Sequence, residues 1–439
     1  MSKPSPQRTS SVPAGRVGRL VGLGLAATEL VLGGLIDRLR APGGARDAVL
    51  SARIARRLAE RLAHLRGAAM KLGQLLSLEG EDFLPPEFAR ALAMLRSGAH
   101  AMPPAQLRQT LGREYGRGWE RRFARFDFAP IAAASIGQVH RARAADGREL
   151  AIKIQYPGIA RSIDSDVDNV AALLRLAKLL PIGLDVSGLA AEAKRQLRQE
   201  ADYALEARFL VRYRALVADA PDLVVPRVHA DLSTRRVLAM DYADGRPLET
   251  LGEDGAPRAE RDRAGRLLER LLFRELFEFR LMQTDPNFAN YLYDPAGRRI
   301  VLLDFGSARE FSPAFVASYR EVCRAVLAGD RAGVRRGATA IGYLQPGDPA
   351  PRVRAVVDVI MLVCEPLRHR GRYDFAASDL PARARDLGID LLFRRGLLRA
   401  PPPETLFLHR KLIGSYQLCA RVGARVDVNA LIKPFLTTD

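Results

Sequence analysis

The sequence reads QTDPNFAN at residues 283–290 and LDFG at residues 303–306. In the first segment four residues separate Asp285 from Asn290, and in the second Asp304 ends an apolar, strand-like run. This spacing is typical of a loop whose Asp orients or deprotonates a phosphoryl acceptor, followed by a strand end that holds a metal ion. We therefore predict that Asp285 is catalytic and that Asn290 and Asp304 are ligands of Mg²⁺.

A lysine at the end of a strand-like segment is the second feature. The segment LAIK ends at Lys153, and it follows a run of small residues, AAASIG, at residues 132–137. Small residues allow backbone N–H groups to approach phosphates, and a strand that delivers one lysine below such a hairpin is the arrangement of protein kinases. We predict that a nucleotide is bound by Lys153 and by four residues of this run: Ala132, Ala133, Ala134 and Ser135.

Each of these four segments also has an ordinary structural explanation when it is taken alone. The alanine run is then a tight turn, Lys153 a solubilising charge on an edge strand, residues 283–290 a polar loop, and D-F-G a strand end closed by a glycine. All four nevertheless occur in the order and with the spacing that protein kinases require. The complete set therefore predicts a kinase-like site.

Two glutamates in one predicted helical region are candidates to pair with Lys153. Glu200 and Glu206 are six residues apart, which places them on different faces of a helix. One of them can therefore pair with the lysine while the other points elsewhere. The alternative is a solvated acidic face on an arginine-rich helix.

Composition excludes several classes of protein. The chain has 439 residues, is 48% hydrophobic and 27% charged, and has a formal net charge of +18; these values indicate a globular protein with an anionic partner. Three scattered cysteines and six histidines without an H-E-x-x-H pattern argue against disulfides and zinc. Only seven of the 68 basic residues are lysines, so we expect lysine where a point charge on a flexible stem is needed. The sequence contains no recognised nucleic-acid module, and we expect no nucleic-acid partner.

The pattern along the chain predicts an α+β fold in four segments. Residues 1–45 are a basic tail with an apolar helix, Leu20–Ile36, that is suited to membrane contact. Residues 46–125 are a helical extension, 126–242 a small mixed lobe with inserted helices, and 243–439 a mainly helical large lobe. A turn at Asp146-Gly147 and three further strands are predicted, at Leu223–Val228, Val237–Tyr242 and Ile300–Asp304.

These residues resemble the UbiB (AarF) family of atypical, kinase-like proteins, which includes the mitochondrial coenzyme Q accessory kinases. The family's motifs are matched by Lys71–Gln74 (K-x-G-Q), Ala132–Gly137 (the alanine-rich loop), Glu200–Asp202 (E-x-D), Glu206 (the lysine-pairing Glu) and Leu408–Lys411 near the C-terminus. The resemblance covers nearly the whole chain. It implies a two-lobed, protein-kinase-like fold with an N-terminal helical extension and additional helices.

The resemblance also implies an activity and its ligands. It implies ATP or ADP and Mg²⁺ as cofactors, with Lys71 and Gln74 of the catalytic site facing the nucleotide, and with Glu200 and Asp202 holding a metal ion or bridging the K-x-G-Q helix. The implied activity is ATP binding and hydrolysis in ubiquinone biosynthesis at a membrane. The implied partners are an anionic membrane surface or a quinone-like lipid, together with quinone-biosynthesis enzymes.

Two departures from ordinary kinases separate the alternatives. Alanine replaces the glycines of the phosphate loop, and alanine disfavours positive φ, so phosphoryl transfer to proteins is expected to be suppressed. Gln283-Thr284 replaces the usual His-Arg before Asp285, which removes the anchor for a phosphorylated activation loop. The alanine loop and the helical extension argue against a protein kinase acting in trans. The complete set of Lys153, Asp285, Asn290 and Asp304 favours an Mg²⁺-dependent ATPase or small-molecule kinase over a non-catalytic scaffold for nucleotide or lipid. The Ala- and Arg-rich composition leads us to expect a location in the bacterial cytoplasm, with peripheral contact at the inner membrane.

Overall fold

The computed structural model describes residues 62, 65–78, 101–176, 186–253, 255–285, 287–391, 397 and 402–437. The predicted tail at 1–45, with its helix Leu20–Ile36, lies outside these residues. The helices are α1 (Arg66–Leu78), α2 (Pro104–Tyr115), α3 (Ile159–Leu176), α4 (Val186–Glu200), α5 (Tyr203–Leu216), α6 (Thr250–Glu253), α7 (Arg258–Phe273), α8 (Pro313–Ala328), α9 (Arg331–Ile341), α10 (Ala350–Val363), α11 (Glu365–Arg368), α12 (Leu380–Ile389), α13 (Pro403–Val422) and α14 (Val428–Leu436).

The strands are short, and several were not expected in the helical part of the chain. They are β1 (Phe123–Phe126), β2 (Ala132–Ala133), β3 (Gly137–Ala144), β4 (Glu149–Gln155), β5 (Leu223–Val224), β6 (Val237–Asp241), β7 (Arg246–Pro247), β8 (Leu281–Gln283), β9 (Tyr291–Asp294), β10 (Arg299–Leu302), β11 (Ala308–Glu310), β12 (Tyr373–Asp374) and β13 (Arg425–Val426). A π-helical turn, Arg274–Phe279, continues α7. The chain forms two compact units, which are Met1–Arg208 with Arg227–Ala243 and Phe209–Pro226 with Asp244–Asp439.

The first unit is built on a five-stranded antiparallel sheet. Its order is β1-β3-β4-β6, with β2 paired to β3. The predicted turn at Asp146-Gly147 is confirmed, because the N–H of Gly147 donates to the carbonyl of Ala144 and Gly147 has a φ of 91° that favours glycine. Apolar side chains of β3 and β4 pack against α2 in one core, which includes Leu107, Leu111, Trp119, Ala142, Leu150, Ile152 and Ile154.

Helices α1, α3 and α4 pack against one another in the same unit. Leu65, Ala69 and Leu72, which recur at helical spacing in and just before α1, are all buried. This packing places α1, which carries the K-x-G-Q motif, against the helix that ends at Glu200. Gln74 lies in α1, and its side chain lies outside the part of the molecule that the structure describes.

The second unit contains a four-stranded sheet in the order β5-β10-β9-β7. The strand predicted at Leu223–Val228 is shorter in the structure, where β5 ends at Val224 and pairs in parallel with β10. Pro226 has no N–H to donate to a ladder, which explains why the strand cannot continue through it. The sequence did not predict β9, because a four-residue strand is too short to show a clear period.

In the second unit α7 packs against α13 and α14, and α8 packs against α9. Helix α8 begins where the hydroxyl of Ser312 accepts a hydrogen bond from the N–H of Phe315, and it ends at Gly329, whose φ is 68°. Among the helices that the structure describes, none has the length and apolar character needed to cross a membrane.

Candidate active site

Lys153 lies in the middle of the sheet of the first unit, on β4 between β3 and β6. Its Nζ is 2.8 Å from Oε1 and 2.9 Å from Oε2 of Glu206, in the first turn of α5. The ring of Tyr203, the first residue of α5, lies 5.1 Å from the same Nζ. A carboxylate and an aromatic face together stabilise an ammonium group whose burial would otherwise be costly. Of the two candidate glutamates, the structure therefore brings Glu206 to Lys153.

Glu200 is the centre of a second buried contact. It forms an ion pair with Lys71 of α1, and the exposed fractions of these two side chains are 13% and 3%. Its Oε2 also accepts a hydrogen bond of 2.9 Å from the hydroxyl of Ser135. One carboxylate thus joins the K-x-G-Q helix to the tip of the alanine-rich segment.

The alanine-rich segment is a hairpin. Ala132 and Ala133 form β2 and are exposed, and the N–H of Ala134 donates to the carbonyl of Gly137 across the tip at 2.9 Å. None of Ala132, Ala133, Ala134 and Ser135 has a positive φ, so alanine occupies this hairpin without backbone strain. Ala132, Ala133, Ala134 and Ser135 are therefore placed together on one turn.

Asp202 has a capping role that the sequence did not indicate. Its Oδ1 accepts a hydrogen bond of 3.1 Å from the N–H of Leu205 in the first turn of α5. This contact satisfies one of the unpaired donors at the start of the helix. The role of Asp202 in binding a cofactor stays a prediction beside this structural one.

The polar residues of the second unit meet at the ends of its strands. Asp285 follows β8, Asn290 precedes β9, and Asp304 follows β10. The side-chain nitrogen of Asn290 is 3.4 Å from both Oδ2 and the carbonyl oxygen of Asp285. The N–H of Leu303 donates to the carbonyl of Asn290 at 3.1 Å, and Oδ1 of Asp304 accepts from the N–H of Gly306 at 2.8 Å. The structure thus places all three predicted residues in one cluster.

Asn290 and Asp304 line the same small crevice, and their chemistry fits Mg²⁺. One carboxylate and one amide oxygen are hard donors, and Mg²⁺ commonly takes its remaining ligands from water and phosphate. Within the described ranges, no group of three or more His, Cys, Asp or Glu side chains is arranged to hold a metal ion. The donor set therefore suits a metal that arrives with a nucleotide better than one held in an all-protein cage.

Sequence reasoning assigned no role in this cluster to the two residues of α13 that contact it, although both belong to the Leu408–Lys411 segment that matches the family. Nη2 of Arg410 is 2.5 Å from Oδ1 of Asp285. Nζ of the neighbouring Lys411 is 2.9 Å from Oε2 of Glu275 and 3.0 Å from the hydroxyl of Tyr291. The family match at Leu408–Lys411 and the rarity of lysine in this chain were the sequence signals that pointed to Lys411.

Glu275 is the buried anion around which this region is organised. Besides Lys411, its carboxylate accepts hydrogen bonds of 2.9 Å from the hydroxyl of Tyr213 and from the N–H of Gln283. Burial acts to lower the pKa of Lys411, but the charge of Glu275 outweighs it and the pKa is raised above its ordinary value. Burial, reinforced by the charge of Glu275, raises the pKa of Tyr213 well above its ordinary value. Lys411 is therefore a permanent cation, and Tyr213 a permanent donor, at neutral pH.

Lysine and glutamate pair in the same way at three buried positions. The pairs are Lys71–Glu200, Lys153–Glu206 and Lys411–Glu275. In a chain that uses arginine for nearly every other cation, these are positions where a compact ammonium is enclosed by one carboxylate. The expectation drawn from lysine usage is met at these three sites.

Comparison with known proteins identifies related sequences along almost the whole chain. A model of the ABC1 atypical kinase-like domain matches residues 94–338. The atypical kinase COQ8B of Rattus norvegicus, a mitochondrial protein, is 40% identical over 433 residues, which is 97% of this chain and 81% of the relative. The mitochondrial atypical kinase COQ8 of Saccharomyces cerevisiae is 36% identical over 434 residues, 97% of this chain and 86% of the relative.

A solved structure is similar over most of the fold. The complex of Rv3197 with erythromycin from Mycobacterium tuberculosis has a TM-score of 0.62 and 26% sequence identity, and the match covers 89% of this chain and 97% of that one. The predicted α+β, kinase-like fold is therefore confirmed.

The expected location in the bacterial cytoplasm is wrong. The curated relatives from Rattus norvegicus, Saccharomyces cerevisiae and Schizosaccharomyces pombe are all mitochondrial proteins. The expectation came from an Ala- and Arg-rich composition, and composition determines net charge and solubility without specifying a compartment.

Proposed function

The chain belongs to the ABC1 atypical kinase-like family, the UbiB/AarF family of coenzyme Q accessory kinases, and on that premise we propose that it binds ATP or ADP with Mg²⁺ and hydrolyses ATP or phosphorylates a small molecule. The proposed role of this reaction is to support ubiquinone biosynthesis at a membrane. The chain is an atypical kinase-like enzyme by family, and the nucleotide, the metal and the acceptor are parts of the proposal.

The observation that carries this proposal is the cluster of Asp285, Asn290 and Asp304 in the second unit. A protein that only bound a nucleotide would need fewer of these groups. Asn290 and Asp304 are the proposed ligands of Mg²⁺, which supplies charge neutralisation at the phosphates when it is bound. Asp285 is the proposed group that orients the acceptor.

The first unit supplies the proposed nucleotide-binding groups. The ammonium of Lys153 is held by Glu206, as a lysine that contacts phosphates must be. The backbone of Ala132–Ser135 would lie along the phosphates, and Ser135 is tied through Glu200 to Lys71. Gln74 and Asp202 are retained as proposed parts of this site on the resemblance alone.

Two partners complete the proposal. An anionic membrane surface fits the positive net charge of the chain, +18, since basic segments are attracted to anionic headgroups. A quinone-like lipid is proposed as an alternative on the resemblance alone. Quinone-biosynthesis enzymes are the proposed protein partners, because the family supports that pathway.

Mg²⁺-dependent ATP hydrolysis by the purified protein tests the proposal. We would compare the wild type with Asp304→Asn and with Asp358→Asn, a matched control whose carboxylate is exposed in a pair with Arg331. Each protein would be assayed alone, with phosphatidylcholine vesicles and with vesicles that also contain phosphatidylglycerol. We expect hydrolysis to fall roughly 100-fold in Asp304→Asn, because a site for charge stabilisation is lost, and to be unchanged in the control.

The three outcomes separate the alternatives. Hydrolysis that rises with anionic vesicles and is lost in Asp304→Asn supports a membrane-coupled ATPase. Transfer of radiolabelled phosphate to an added protein would instead support a protein kinase acting in trans. Equal hydrolysis by wild type and Asp304→Asn would overturn the catalytic proposal and leave a nucleotide- or lipid-binding scaffold.

A further inference from the structure

Arg410 contacts the proposed catalytic Asp from a distant part of the sequence. Its Nη2 is 2.5 Å from Oδ1 of Asp285, and the two residues are 125 positions apart in the sequence. Only 6% of the Arg410 side chain and 19% of the Asp285 side chain are exposed. A charge-assisted hydrogen bond that is shielded from water in this way is strong and has a defined direction.

The catalytic loop has no cation of its own beside Asp285. The residue before it, Thr284, is completely buried, and its hydroxyl donates to the carbonyl of Ser307 at 2.6 Å. The guanidinium beside Asp285 is supplied instead by α13. A helix is a rigid support, so the position of the carboxylate is tied to that of α13 rather than to the loop.

The residue after Arg410 fixes the other side of the loop. Lys411 contacts Glu275 at 2.9 Å, and Glu275 accepts from the N–H of Gln283 at 2.9 Å. The side chain of Gln283 in turn donates to the carbonyl of Asp285 at 2.8 Å. Two consecutive residues of one helix thus hold the backbone and the carboxylate of Asp285 at the same time.

The two oxygens of the Asp285 carboxylate have different surroundings. Arg410 contacts Oδ1, whereas the amide nitrogen of Asn290 is 3.4 Å from Oδ2. Oδ2 therefore lies on the side of the proposed metal ligand, where a phosphoryl acceptor would approach. If the carboxylate rotated freely about the Cβ–Cγ bond, Oδ1 and Oδ2 would exchange positions and neither oxygen would be held towards the acceptor.

We infer that Arg410 is a positioning residue for phosphoryl transfer, which holds Oδ1 of Asp285 so that Oδ2 faces the acceptor. The inference rests on the proposed function, because it assigns Arg410 to the same reaction. Misplacement of a reacting group by about 1 Å can lower a rate about 100-fold, so a side chain that does not touch the substrate can have a large kinetic effect.

The test compares Arg410→Ala and Arg410→Lys with Arg331→Ala. Arg331 forms an exposed ion pair with Asp358, which makes it a control for the loss of an arginine that pairs with a carboxylate. For Arg410→Ala we expect kcat for ATP hydrolysis to fall about 10- to 100-fold while KM for ATP changes less than about threefold, because positioning affects the transition state more than nucleotide binding. Arg410→Lys keeps the positive charge but lacks the planar guanidinium, so its decrease in kcat should be several-fold smaller than that of Arg410→Ala. Guanidinium ion, added far below denaturing concentration, should restore part of the activity of Arg410→Ala.

A second measurement does not depend on activity. Hydrogen exchange across residues 281–294 should be faster in Arg410→Ala than in the wild type and in Arg331→Ala. If the wild type hydrolyses ATP and Arg410→Ala has the same kcat, the inference is overturned while the proposed function stands. If the wild type and Asp304→Asn hydrolyse ATP equally or not at all, the proposed function fails. In that case, hydrogen exchange in Arg410→Ala that is unchanged from the wild type would overturn the positioning role as well. If Arg410→Ala does not fold, the kcat of Arg410→Lys becomes the test. A kcat equal to that of the wild type would then overturn the inference.

Discussion

Lys153 and Glu206 form a buried ion pair in which one ammonium nitrogen lies 2.8 and 2.9 Å from the two carboxylate oxygens. The exposed fractions of the side chains are 9% and 1%. Neither group can be solvated if the other is removed, since both lie inside the first unit. The pair therefore contributes to the stability of that unit as well as to the proposed nucleotide site.

We predict that Lys153→Met lowers the free energy of unfolding by about 3 kcal/mol, because it leaves the carboxylate of Glu206 buried without its cation. Lys194→Met is the matched control, since Lys194 pairs with Asp168, a side chain that is 61% exposed, and its loss should cost less than about 1 kcal/mol. Chemical denaturation followed by circular dichroism measures both. The double variant Lys153→Met/Glu206→Leu should recover much of the loss, and equal costs for the two single variants would contradict the prediction.

Gly137 is required at the base of the alanine-rich hairpin for steric reasons. A Cβ at this position would lie 2.5 Å from the carbonyl oxygen of Ile154 and 2.7 Å from the hydroxyl of Tyr203. We predict that Gly137→Ala destabilises the protein by about 2 kcal/mol and weakens nucleotide binding, because the hairpin must shift. Gly112→Ala in α2 meets only an ordinary contact and should instead stabilise the protein by up to about 1 kcal/mol. Thermal melting with and without nucleotide distinguishes the two variants. An unchanged melting temperature in Gly137→Ala would contradict the prediction and show that the backbone can move to accept the methyl group.

Lys411 is predicted to be a structural cation. Lys411→Met should lower the free energy of unfolding by about 3 kcal/mol or more, because Glu275, which is 0% exposed, would lose its cation. Lys433 of α14 is exposed, and Lys433→Met should change stability by less than about 1 kcal/mol. Denaturant titration of both variants provides the comparison. A similar small change in both would mean that Tyr213 and Gln283 satisfy Glu275 without the lysine.

The stability of the second unit should depend on pH through His409. Burial lowers the pKa of His409 from 6.5 to about 4, and its Nε2 is hydrogen-bonded to the hydroxyl of Tyr343 at 2.6 Å. The unfolded chain takes up the proton first as pH falls, so this contribution is complete above pH 6.5 and is lost as pH falls towards 4. The full shift corresponds to roughly 3 kcal/mol, and we expect less because His409 as a whole residue is half-buried rather than fully enclosed.

Unfolding free energies measured from pH 7.5 to pH 5 check this dependence. His409→Gln should have a flatter profile than the wild type across that range. His369→Gln, at an exposed position, should keep the wild-type slope. If His409→Gln and the wild type lose stability in parallel, other groups are responsible for the pH dependence.

Site residues that are close together in the sequence could be predicted, whereas contacts between distant segments could not. The spacing of Asp285 and Asn290 and the strand end at Asp304 were recognisable because each belongs to one short segment with its own backbone geometry. The contact of Arg410 with Asp285 was not recognisable, because it spans 125 residues and neither residue type is unusual. The capping role of Asp202 was also missed, because the sequence predicts one helical region through this residue and does not show that a new helix, α5, begins at Tyr203.

The fold followed the same division. The β3–β4 hairpin was predicted because a glycine turn and alternating apolar residues are local signals. Strand β5 was predicted to be longer than it is, and β9 was not predicted. A strand of two or four residues is stabilised by its neighbours in the sheet and not by its own sequence.

What the linear order of residues establishes here is the chemistry: a lysine on a strand, an Asp and an Asn in one loop, and an Asp before Phe-Gly. Spacing within a segment fixes these groups, since a strand or turn permits few geometries. Packing establishes the partners, which are Glu200 for Lys71, Arg410 for Asp285 and, as the resemblance implied, Glu206 for Lys153. The spacing of charged residues along the chain does not show which of them will meet, and only the burial of one particular pair in the folded chain makes its partners specific.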